Sequence, residues 1–230
     1  MNGEHLHKAI FLENLDKLES VLETGDVHPD IPDKYGFTPL MQAAQKGYLE
    51  MIEMLIRYGA DVNFQNDAGK TALMLAAYSG KIPSVKELRY SGASYDVQDK
   101  GGSTALHWAM DSGNTELIGW MLDDGADINV VDVNEWTPLL RTAAVSGNAD
   151  VANTLMRHGT EIDKRDKDGK TALMMAVVNG HERLVKLLLD SGADMTITNE
   201  FGKDAYDMAI SMEKRRVIKV LDDFKKTHGL

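Results

Sequence analysis

Two short runs in this sequence imitate the end of a nucleotide-binding loop. Residues 69–71 and 169–171 both read Gly-Lys-Thr, the ending of a loop in which backbone amides and a lysine surround bound phosphates. That loop also needs a glycine five positions before the Gly-Lys pair, so that consecutive amides can curl around the phosphate. Phe64 and Lys164 stand at those positions. We therefore expect both runs to be turns that lead into helices, and we expect no nucleotide site.

The acids Asp163, Asp166 and Asp168 suggest a calcium loop, because Ca²⁺ binds to carboxylate oxygens. A calcium loop of the helix–loop–helix type carries a glycine at its sixth position and a bidentate glutamate at its twelfth. With Gly169 in sixth place, the twelfth residue is Met175, which has no side-chain oxygen. We expect these acids to be the solvated tips of hairpin turns.

The histidines do not form a recognisable metal or catalytic motif. His5 and His7 are two residues apart, which places them on different faces of a helix. No cysteine and no HExxH motif accompanies them, and no nucleophile elbow marks a catalytic serine. The sequence therefore predicts no catalytic residue, no metal and no cofactor, and we expect a protein that is not an enzyme.

These residues lie on a repeated framework of short helices. The stretch from Asp166 to Thr198 contains a threonine suited to cap a helix, an apolar stripe, a glycine stop, a second stripe and a second glycine. These features recur every 33 or 34 residues. The capping threonines are Thr38, Thr71, Thr104, Thr137 and Thr171. The first glycine stops are Gly47, Gly80, Gly113, Gly147 and Gly180, and the second stops are Gly59, Gly92, Gly125, Gly159 and Gly192.

A period near 33 residues with the pattern T-[PA]-L…A…G…L-L-x-x-G-A-D resembles the ankyrin repeat. The resemblance covers nearly the whole chain and implies an all-α fold, an ankyrin-repeat solenoid of paired antiparallel helices with hairpin loops. We expect a single elongated domain over residues 1–230. Its parts are an N-terminal capping repeat at 4–32, full repeats at 33–65, 66–98, 99–131, 132–165 and 166–198, and a C-terminal capping repeat at 199–230. The resemblance also implies that His107 is structural and bridges repeat backbones.

Two of the full repeats depart from the pattern. Ser84 and Arg89 occupy positions of the repeat 66–98 that are apolar elsewhere, so its second helix is predicted to pack less well. Glu135 replaces the turn glycine of the repeat 132–165, where a left-handed backbone costs a non-glycine residue about 1 kcal/mol. That repeat also has one extra residue within LLRTAAVSG, which predicts a π-type turn or a distorted helix in residues 137–147.

Composition limits the partners. The formal charge of −11 disfavours nucleic acid and anionic membrane, because phosphate binding needs Lys and Arg. No apolar run approaches the roughly 18 residues of a membrane span, and the first residues lack the pattern of a signal peptide. With no cysteine as well, we expect the cytoplasm and the nucleus. The thirteen methionines are interpreted as core filler between helices.

Ankyrin stacks commonly meet a partner with the hairpin tips and the solvent side of the first helices, so the resemblance implies a protein-binding surface on this concave side. The residues predicted to bind there are Tyr35, Phe37, Lys46, Lys70, Tyr78, Asp111, Trp136, Val145, Lys170 and Phe201. Aromatic anchors dominate interface energy. The same rings could instead pack on adjacent turns, and both interpretations stay open. Trp108 and Trp120 lie on helices off this row and are predicted to be half-buried structural residues.

Several sequence segments resemble one particular family of ankyrin-repeat proteins. EHLHKAI, YGFTPLMQAAQKGY, GGSTALHWA and the lengthened WTPLLRTAAVSGN unit are similar to the ankyrin half of the family that joins fibronectin type III and ankyrin repeat domains. The similarity spans residues 4 to about 225. It implies a non-catalytic scaffold or adaptor in transcriptional regulation in the male germline, and we expect a monomer with an unidentified protein partner. The alternative is a structural module that packs against itself or against a missing fibronectin type III domain.

Overall fold

The computed structural model describes residues 3–229, and this part of the chain forms fourteen α-helices and no strand. In chain order the helices are α1 (Glu4–Phe11), α2 (Leu15–Leu22), α3 (Pro39–Lys46), α4 (Leu49–Arg57), α5 (Ala72–Tyr78), α6 (Ile82–Tyr90), α7 (Ala105–Ser112), α8 (Thr115–Asp123), α9 (Pro138–Val145), α10 (Ala149–Arg157), α11 (Ala172–Asn179), α12 (Glu182–Asp190), α13 (Ala205–Ser211) and α14 (Arg215–His228). Two helices fall in each predicted repeat, so the predicted helix pairs are confirmed. The repeat boundaries stay a prediction.

The chain divides into two compact units, one ending at Ser112 and the other beginning at Gly113. In the first unit α1, α3, α5 and α7 pack side by side, and α2, α4 and α6 form a second layer behind them. In the second unit α9, α11 and α13 form the first layer and α8, α10, α12 and α14 the second. Each pair needs its neighbours, because one pair alone cannot bury both of its apolar faces.

Side-chain caps begin the first helices, as the threonine spacing predicts. The hydroxyl of Thr38 accepts a hydrogen bond from Met41 N at 3.2 Å. The threonines that make the same bond to the amide three residues on are Thr71, Thr137 and Thr171. In the last repeat Asp204 caps α13 by accepting from Asp207 N at 2.8 Å. Loss of such a cap costs about 1 kcal/mol, because a helix start leaves its first amides without partners.

The helix ends follow the predicted glycines. All ten glycine stops have a positive φ, between 60° at Gly147 and 99° at Gly125. Three glutamates adopt the same left-handed backbone: Glu13 with φ 52°, Glu135 with φ 59° and Glu213 with φ 53°. The turn at Glu135 therefore keeps the conformation that favours glycine, so the cost expected for a non-glycine residue applies there. Each of these glutamates costs about 1–2 kcal/mol relative to a right-handed residue.

The core of the first unit uses methionine and one histidine beside the aliphatic residues. Met41 and Met74 are completely buried, which confirms for them the predicted core-filling role. His107 is also completely buried, and its Nδ1 lies 3.1 Å from Thr104 Oγ1. This confirms that His107 is structural. The predicted bridge from His107 to a second repeat backbone stays a prediction.

The second full repeat carries one packing defect. Ser84 on α6 is completely buried, and its Oγ has no hydrogen-bond partner among residues 3–229. Arg89 is half-buried and better accommodated, because its guanidinium lies 3.9 Å from the centroid of the Tyr95 ring and donates to Ala93 O. A buried hydroxyl without a partner costs about 1–3 kcal/mol, so the predicted weakness of this helix resides at Ser84.

The extra residue of the fourth full repeat lies after the helix and not inside it. α9 is a regular α-helix of eight residues, the length also of α3, α7 and α11. The surplus residue is Ser146, and Gly147 N then reaches back to Thr142 O at 2.8 Å. The predicted distortion inside the helix is therefore wrong, whereas the bond from Gly147 N to Thr142 O spans five residues and is a π-type turn at the helix end, within the predicted range 137–147. Thr142 is buried, and an insertion before it would rotate the buried stripe away from the core.

The C-terminal capping repeat ends in α14, a helix of fourteen residues. Val217 and Leu221 are buried, as the sequence predicts, whereas Ile218 and Val220 are only half-buried. The apolar residues of KRRVIKVLDDFKK predict that Val217, Ile218, Val220 and Leu221 are all buried. This is wrong for Ile218 and Val220, because α14 packs against α12 and α13 on one side and meets solvent on the other. Within residues 3–229, none of the helices has both the length and the apolar character that a membrane crossing requires.

Candidate protein-binding surface

The turns that lead into the first helices, here called fingers, share one hydrogen-bond pattern. In the finger that begins at Asp33, Oδ1 accepts from Tyr35 N at 2.8 Å and from Phe37 N at 2.9 Å. The residues that close the other fingers in the same way are Asn66, Asp99, Asp132, Asp166 and Asn199. Because an Asp or Asn side chain fixes the backbone two and four residues on, the tip residues have little conformational freedom.

The finger acids correct one interpretation of the sequence. Asp166, predicted to be a solvated tip, is buried, because its carboxylate accepts from Asp168 N, Lys170 N and Trp136 Nε1. Asp168 does lie at the tip, where Lys170 Nζ donates to it at 2.8 Å and lowers its pKa. The signal for the finger pattern is present in the sequence, since an Asp or Asn stands five residues before each capping residue.

Asp163, the third predicted tip, instead ties two repeats together. Its Oδ1 accepts from Asp194 N at 3.1 Å, and partial burial raises its pKa. In the first unit Asn63 Oδ1 accepts from Ser94 N at 2.8 Å in the equivalent place. These bonds fix the spacing between neighbouring repeats, so the prediction of a solvated tip is wrong for Asp163 as well.

Backbone hydrogen bonds also join neighbouring fingers within each unit. Lys100 N donates to Ala68 O at 3.0 Å in the first unit, and Glu200 N donates to Asp168 O at 3.2 Å in the second. Each unit therefore presents its tip residues from a connected row of turns rather than from independent loops.

The ten residues predicted to bind a partner fall into two groups. The exposed ones are Tyr35, Lys46, Tyr78, Asp111, Val145 and Phe201. The half-buried ones are Phe37, Lys70, Trp136 and Lys170. Tyr35 and Phe201 are 70% and 78% exposed, so these rings extend into solvent. Participation of the ten residues in binding stays a prediction.

Trp136 is held by the neighbouring finger. Its indole is half-buried, and Nε1 donates to Asp166 Oδ2 at 3.3 Å. This contact favours the alternative in which the ring packs on an adjacent finger, and we expect replacement of Trp136 to affect stability. Trp136 is therefore a poor residue for separating binding from folding.

Trp108 contacts the predicted surface, although the sequence interpretation placed it off the row. The indole is half-buried, as predicted, and its Nε1 donates to Asp99 Oδ2 at 3.0 Å. The ring of Tyr78 meets it edge-on, with centroids 5.6 Å apart and an interplanar angle of 78°. Lys70 Nζ lies 4.6 Å from the centroid of the Trp108 ring. Trp108 thus brings Lys70 and Tyr78 into one cluster, which we call the Trp108 cluster.

The sequence position of Trp108 does indicate that its side chain lies near the finger tips. Trp108 stands nine residues after the finger residue Asp99, as Gln42 stands nine residues after Asp33. Gln42 Nε2 donates to Asp33 Oδ2 at 2.8 Å, so both side chains reach back to their own finger. A side chain at this position therefore lies next to the finger tips, which the helical position alone did not reveal.

A groove of about 470 Å³ lies between α1 and α3 in the first unit. Its lining residues are His7, Lys8, Ile10, Phe11, Gln42, Gln45 and Lys46. Phe11, which is 81% exposed, provides an apolar wall. His7 fixes α1 to α3, since its Nδ1 lies 3.0 Å from Gln42 Oε1 and its Nε2 lies 2.9 Å from Ile31 O. Of these residues only Lys46 is among the ten predicted to bind a partner.

A larger groove of about 700 Å³ lies in the second unit between the second helices α12 and α14. Its walls mix both signs of charge, with Lys186 and Arg216 beside Glu182 and Asp190. None of the ten predicted binding residues lines it. The groove therefore indicates no particular ligand chemistry.

The helix pairs, caps and fingers define a class of repeat protein, and the comparisons with known proteins agree. The family model described as "Ankyrin repeats (3 copies)" matches the overlapping segments 6–99, 50–132, 73–166, 106–199 and 140–225. The chain therefore belongs to the ankyrin repeat family, and the predicted all-α ankyrin-repeat solenoid is confirmed. Members of this family generally mediate protein–protein interaction and are typically not enzymes.

Two curated relatives show a closer similarity within the ankyrin repeat family. The chain is 56% identical over 177 residues to the fibronectin type 3 and ankyrin repeat domains 1 protein of Mus musculus, covering 76% of this chain and 52% of that protein. It is 54% identical over 177 residues to the Homo sapiens protein of that description, covering 76% and 51%. The predicted resemblance to the family that joins these domains is confirmed, and the chain spans about half the length of these relatives.

Solved structures with the same fold include the ankyrin repeat domain of Bcl-3, a member of the IkappaB protein family. It superposes with a TM-score of 0.82 at 27% identity and covers 95% of this chain and 97% of that one. A chain in the complex of the Bd0816 predatory endopeptidase from Bdellovibrio bacteriovorus with immunity protein Bd3460 gives a TM-score of 0.72 at 25% identity, covering 84% and 99%.

Proposed function

We propose that this chain is a non-catalytic scaffold or adaptor that binds a protein partner with its fingers and the solvent side of its first helices. The observation that carries the proposal is the Trp108 cluster of the first unit. Lys70, Tyr78 and Trp108 come from two consecutive repeats and are held together, while Tyr78 remains 47% exposed. The fold does not require a cation and two aromatic rings at these positions.

The rigidity of this surface supports the proposal. The finger of Tyr35 is closed by two hydrogen bonds to Asp33, and Trp108 is fixed by its bond to Asp99. A partner that binds here loses little further conformational entropy in this chain, because the contact residues are already ordered. Aromatic side chains that are presented in this way are the residues that most often dominate an interface.

The test compares two sets of tyrosines. Tyr35→Ala/Tyr78→Ala removes two exposed rings from the predicted surface, and Tyr90→Ala removes a ring that is 75% exposed at the end of the second helix α6. Immobilised wild-type protein and both variants are used to capture partners, which are quantified by mass spectrometry and then titrated as recombinant proteins. We expect the double variant to lose about 2 kcal/mol or more of binding free energy and Tyr90→Ala to keep it. Equal binding by both variants would refute the proposed surface.

Self-association, or packing on a fibronectin type III domain, is the second candidate function. It is favoured by Phe11 and Leu12 of the N-terminal capping repeat, which are 81% and 57% exposed. Light scattering after size exclusion distinguishes the two proposals. A monomer across the micromolar range supports the adaptor, whereas a dimer that Phe11→Ser/Leu12→Ser converts to a monomer supports self-association.

The cellular setting is part of the proposal and rests on the family resemblance. We place the protein in the cytoplasm and the nucleus and connect it with transcriptional regulation in the male germline. Imaging of the tagged protein in testis cells of its source, together with transcript profiling after its depletion, tests this. Exclusion from the nucleus and an unchanged transcript profile would contradict it.

A further inference from the structure

We propose that the first unit binds an acidic segment of a partner protein, one of whose apolar side chains enters the groove between α1 and α3. This inference rests on the proposed protein-binding function and adds the chemistry of the partner. Its basis is the combination of an apolar groove, lysines without acidic partners at its edges, and a second apolar platform at a fixed distance.

The groove has an apolar wall and positively charged edges. Ile10 and Phe11 contribute the apolar wall, and Lys8 and Lys46 lie beside it with exposed side chains. Neither lysine makes an ion pair with any of residues 3–229. An apolar side chain that fills the groove would bring flanking residues close to both ammonium groups, and carboxylates are the groups that they attract.

Charge is distributed unevenly over the first unit. On the second helices two basic residues have partners, since Arg57 Nη2 lies 3.1 Å from Glu19 Oε1 and Arg89 lies against the Tyr95 ring. On the first helices and the fingers the exposed basic residues are Lys8, Lys34, Lys46 and Lys100, and the exposed acids are Glu4, Asp67 and Asp111. These exposed lysines slightly outnumber the exposed acids of the same surface, although the whole chain has a net charge of −11. The lining of the groove itself contains Lys8 and Lys46 and no acid, so the attraction for carboxylates is local to the groove.

The spacing of two apolar sites sets the length of the partner segment. Tyr78 of the Trp108 cluster stands two repeats after Phe11 at the equivalent helix position, and α1, α3 and α5 pack in sequence. Packed helix axes lie about 8–10 Å apart, so two steps span about 16–20 Å. An extended chain covers about 3.3 Å per residue. The segment therefore carries two apolar anchors about five or six residues apart, with acids around the anchor nearer α1.

The test selects peptides without assuming a natural partner. Random peptides of about twelve residues, which reach about 40 Å when extended, are displayed on phage and selected on the whole chain. We expect the enriched peptides to be acidic and to carry two apolar residues about five or six positions apart. Enrichment of basic or uncharged peptides, or no enrichment, would overturn the inference.

The strongest peptide is then synthesised with a fluorophore and titrated by anisotropy. Lys8→Glu/Lys46→Glu reverses the two groove charges, and Lys17→Glu/Lys86→Glu makes the same change of charge on the second helices α2 and α6. We expect the first variant to weaken binding about tenfold or more, since each exposed pair contributes modestly and reversal adds repulsion. The control should change affinity less than about twofold. Equal effects of the two variants would overturn the inference.

Two further measurements keep the test decisive. If circular dichroism shows that charge reversal impairs folding, Lys8→Gln/Lys46→Gln is used instead. We expect this variant to make peptide affinity less dependent on salt concentration, and an unchanged salt dependence would overturn the inference. The captured protein partners are titrated with the same variants. Capture of no protein at all is a failure of the proposed function, whereas a partner whose binding survives the loss of both lysines refutes only the acidic-segment inference.

Discussion

Replacement of Ser84 by alanine should stabilise the protein. Ser84 is completely buried on α6, and its hydroxyl has no partner among the described residues. In the other full repeats and the C-terminal capping repeat the equivalent positions are apolar, namely Met51, Leu117, Val151, Leu184 and Val217. Removing a buried unsatisfied hydroxyl recovers about 1–3 kcal/mol, and alanine adds about 0.5 kcal/mol of helix propensity. Allowing for the small void that remains, we expect a gain of about 1.5 kcal/mol.

Thermal unfolding and hydrogen exchange provide the assay. A gain of about 1.5 kcal/mol raises the melting temperature by about 3–6 °C in a chain of this size. Because repeat stability is local, hydrogen exchange should slow most in α5 and α6. The control is Ser91→Ala, since Ser91 follows the same helix and its Oγ donates to Glu87 Oε1 at 3.2 Å. The control should change stability by no more than about 0.5 kcal/mol.

A neutral or destabilising Ser84→Ala would refute the reasoning, because it would mean that the hydroxyl is satisfied in solution. A gain spread evenly over all repeats would also contradict it, since the cost is assigned to one helix. Ser84→Leu then measures the space available at this position. If Ser84→Leu destabilises the protein while Ser84→Ala stabilises it, the neighbouring helices have packed closely around the smaller side chain.

Three further predictions concern the turns. Deletion of Ser146 should leave the chain folded and change its stability by less than about 1 kcal/mol in urea unfolding, because Ser146 is exposed after α9, and a loss beyond about 3 kcal/mol would contradict this. Glu135→Gly should stabilise by about 0.5–1 kcal/mol, because the left-handed cost that glycine avoids exceeds its entropy cost, and a lower melting temperature would show that the Glu135 side chain makes a compensating contact. Burial, and then the charge of Lys214, lowers the pKa of His181, so the folded state resists protonation and wild-type stability falls as pH drops through the unfolded value near 6.5. His181→Asn should remove this loss of stability at low pH, because asparagine does not titrate. It should also add the helix cap that Asn114 and Asn148 provide, worth about 1 kcal/mol. If the difference in melting temperature between about pH 7.5 and 5.5 is the same in the variant as in the wild type, the prediction is refuted.

The sequence alone determined the local structure of each repeat. Threonine caps and glycine stops specify where a helix begins and ends through bonds and dihedral angles within a few residues. Thr38 and Gly47 could therefore be assigned without a neighbour, and Glu135 could be predicted to be left-handed by its position alone. The period of 33 or 34 residues then implied that similar helix pairs must stack, because a single pair cannot bury its apolar faces.

Tertiary structure decided how one repeat meets the next. The contact of Trp108 with Lys70 and Tyr78 crosses a repeat boundary, as does the bond from Trp136 to Asp166. No local rule specifies which side chains become neighbours across such a boundary, since that depends on the packing of whole helices. The groove beside Phe11 arises in the same way, from the distance between α1 and α3.

The extra residue of the fourth repeat shows the physical reason most directly. From the sequence alone, the extra residue could lie anywhere between the cap Thr137 and the stop Gly147, because each position gives the same repeat length. Burial of Leu139, Leu140 and Thr142 excludes every choice that rotates this stripe out of the core, so the surplus falls at Ser146 in the turn. Local sequence determined the length of the repeat. Packing against the neighbouring helices determined which residues of α9 are buried, and therefore where the extra residue lies.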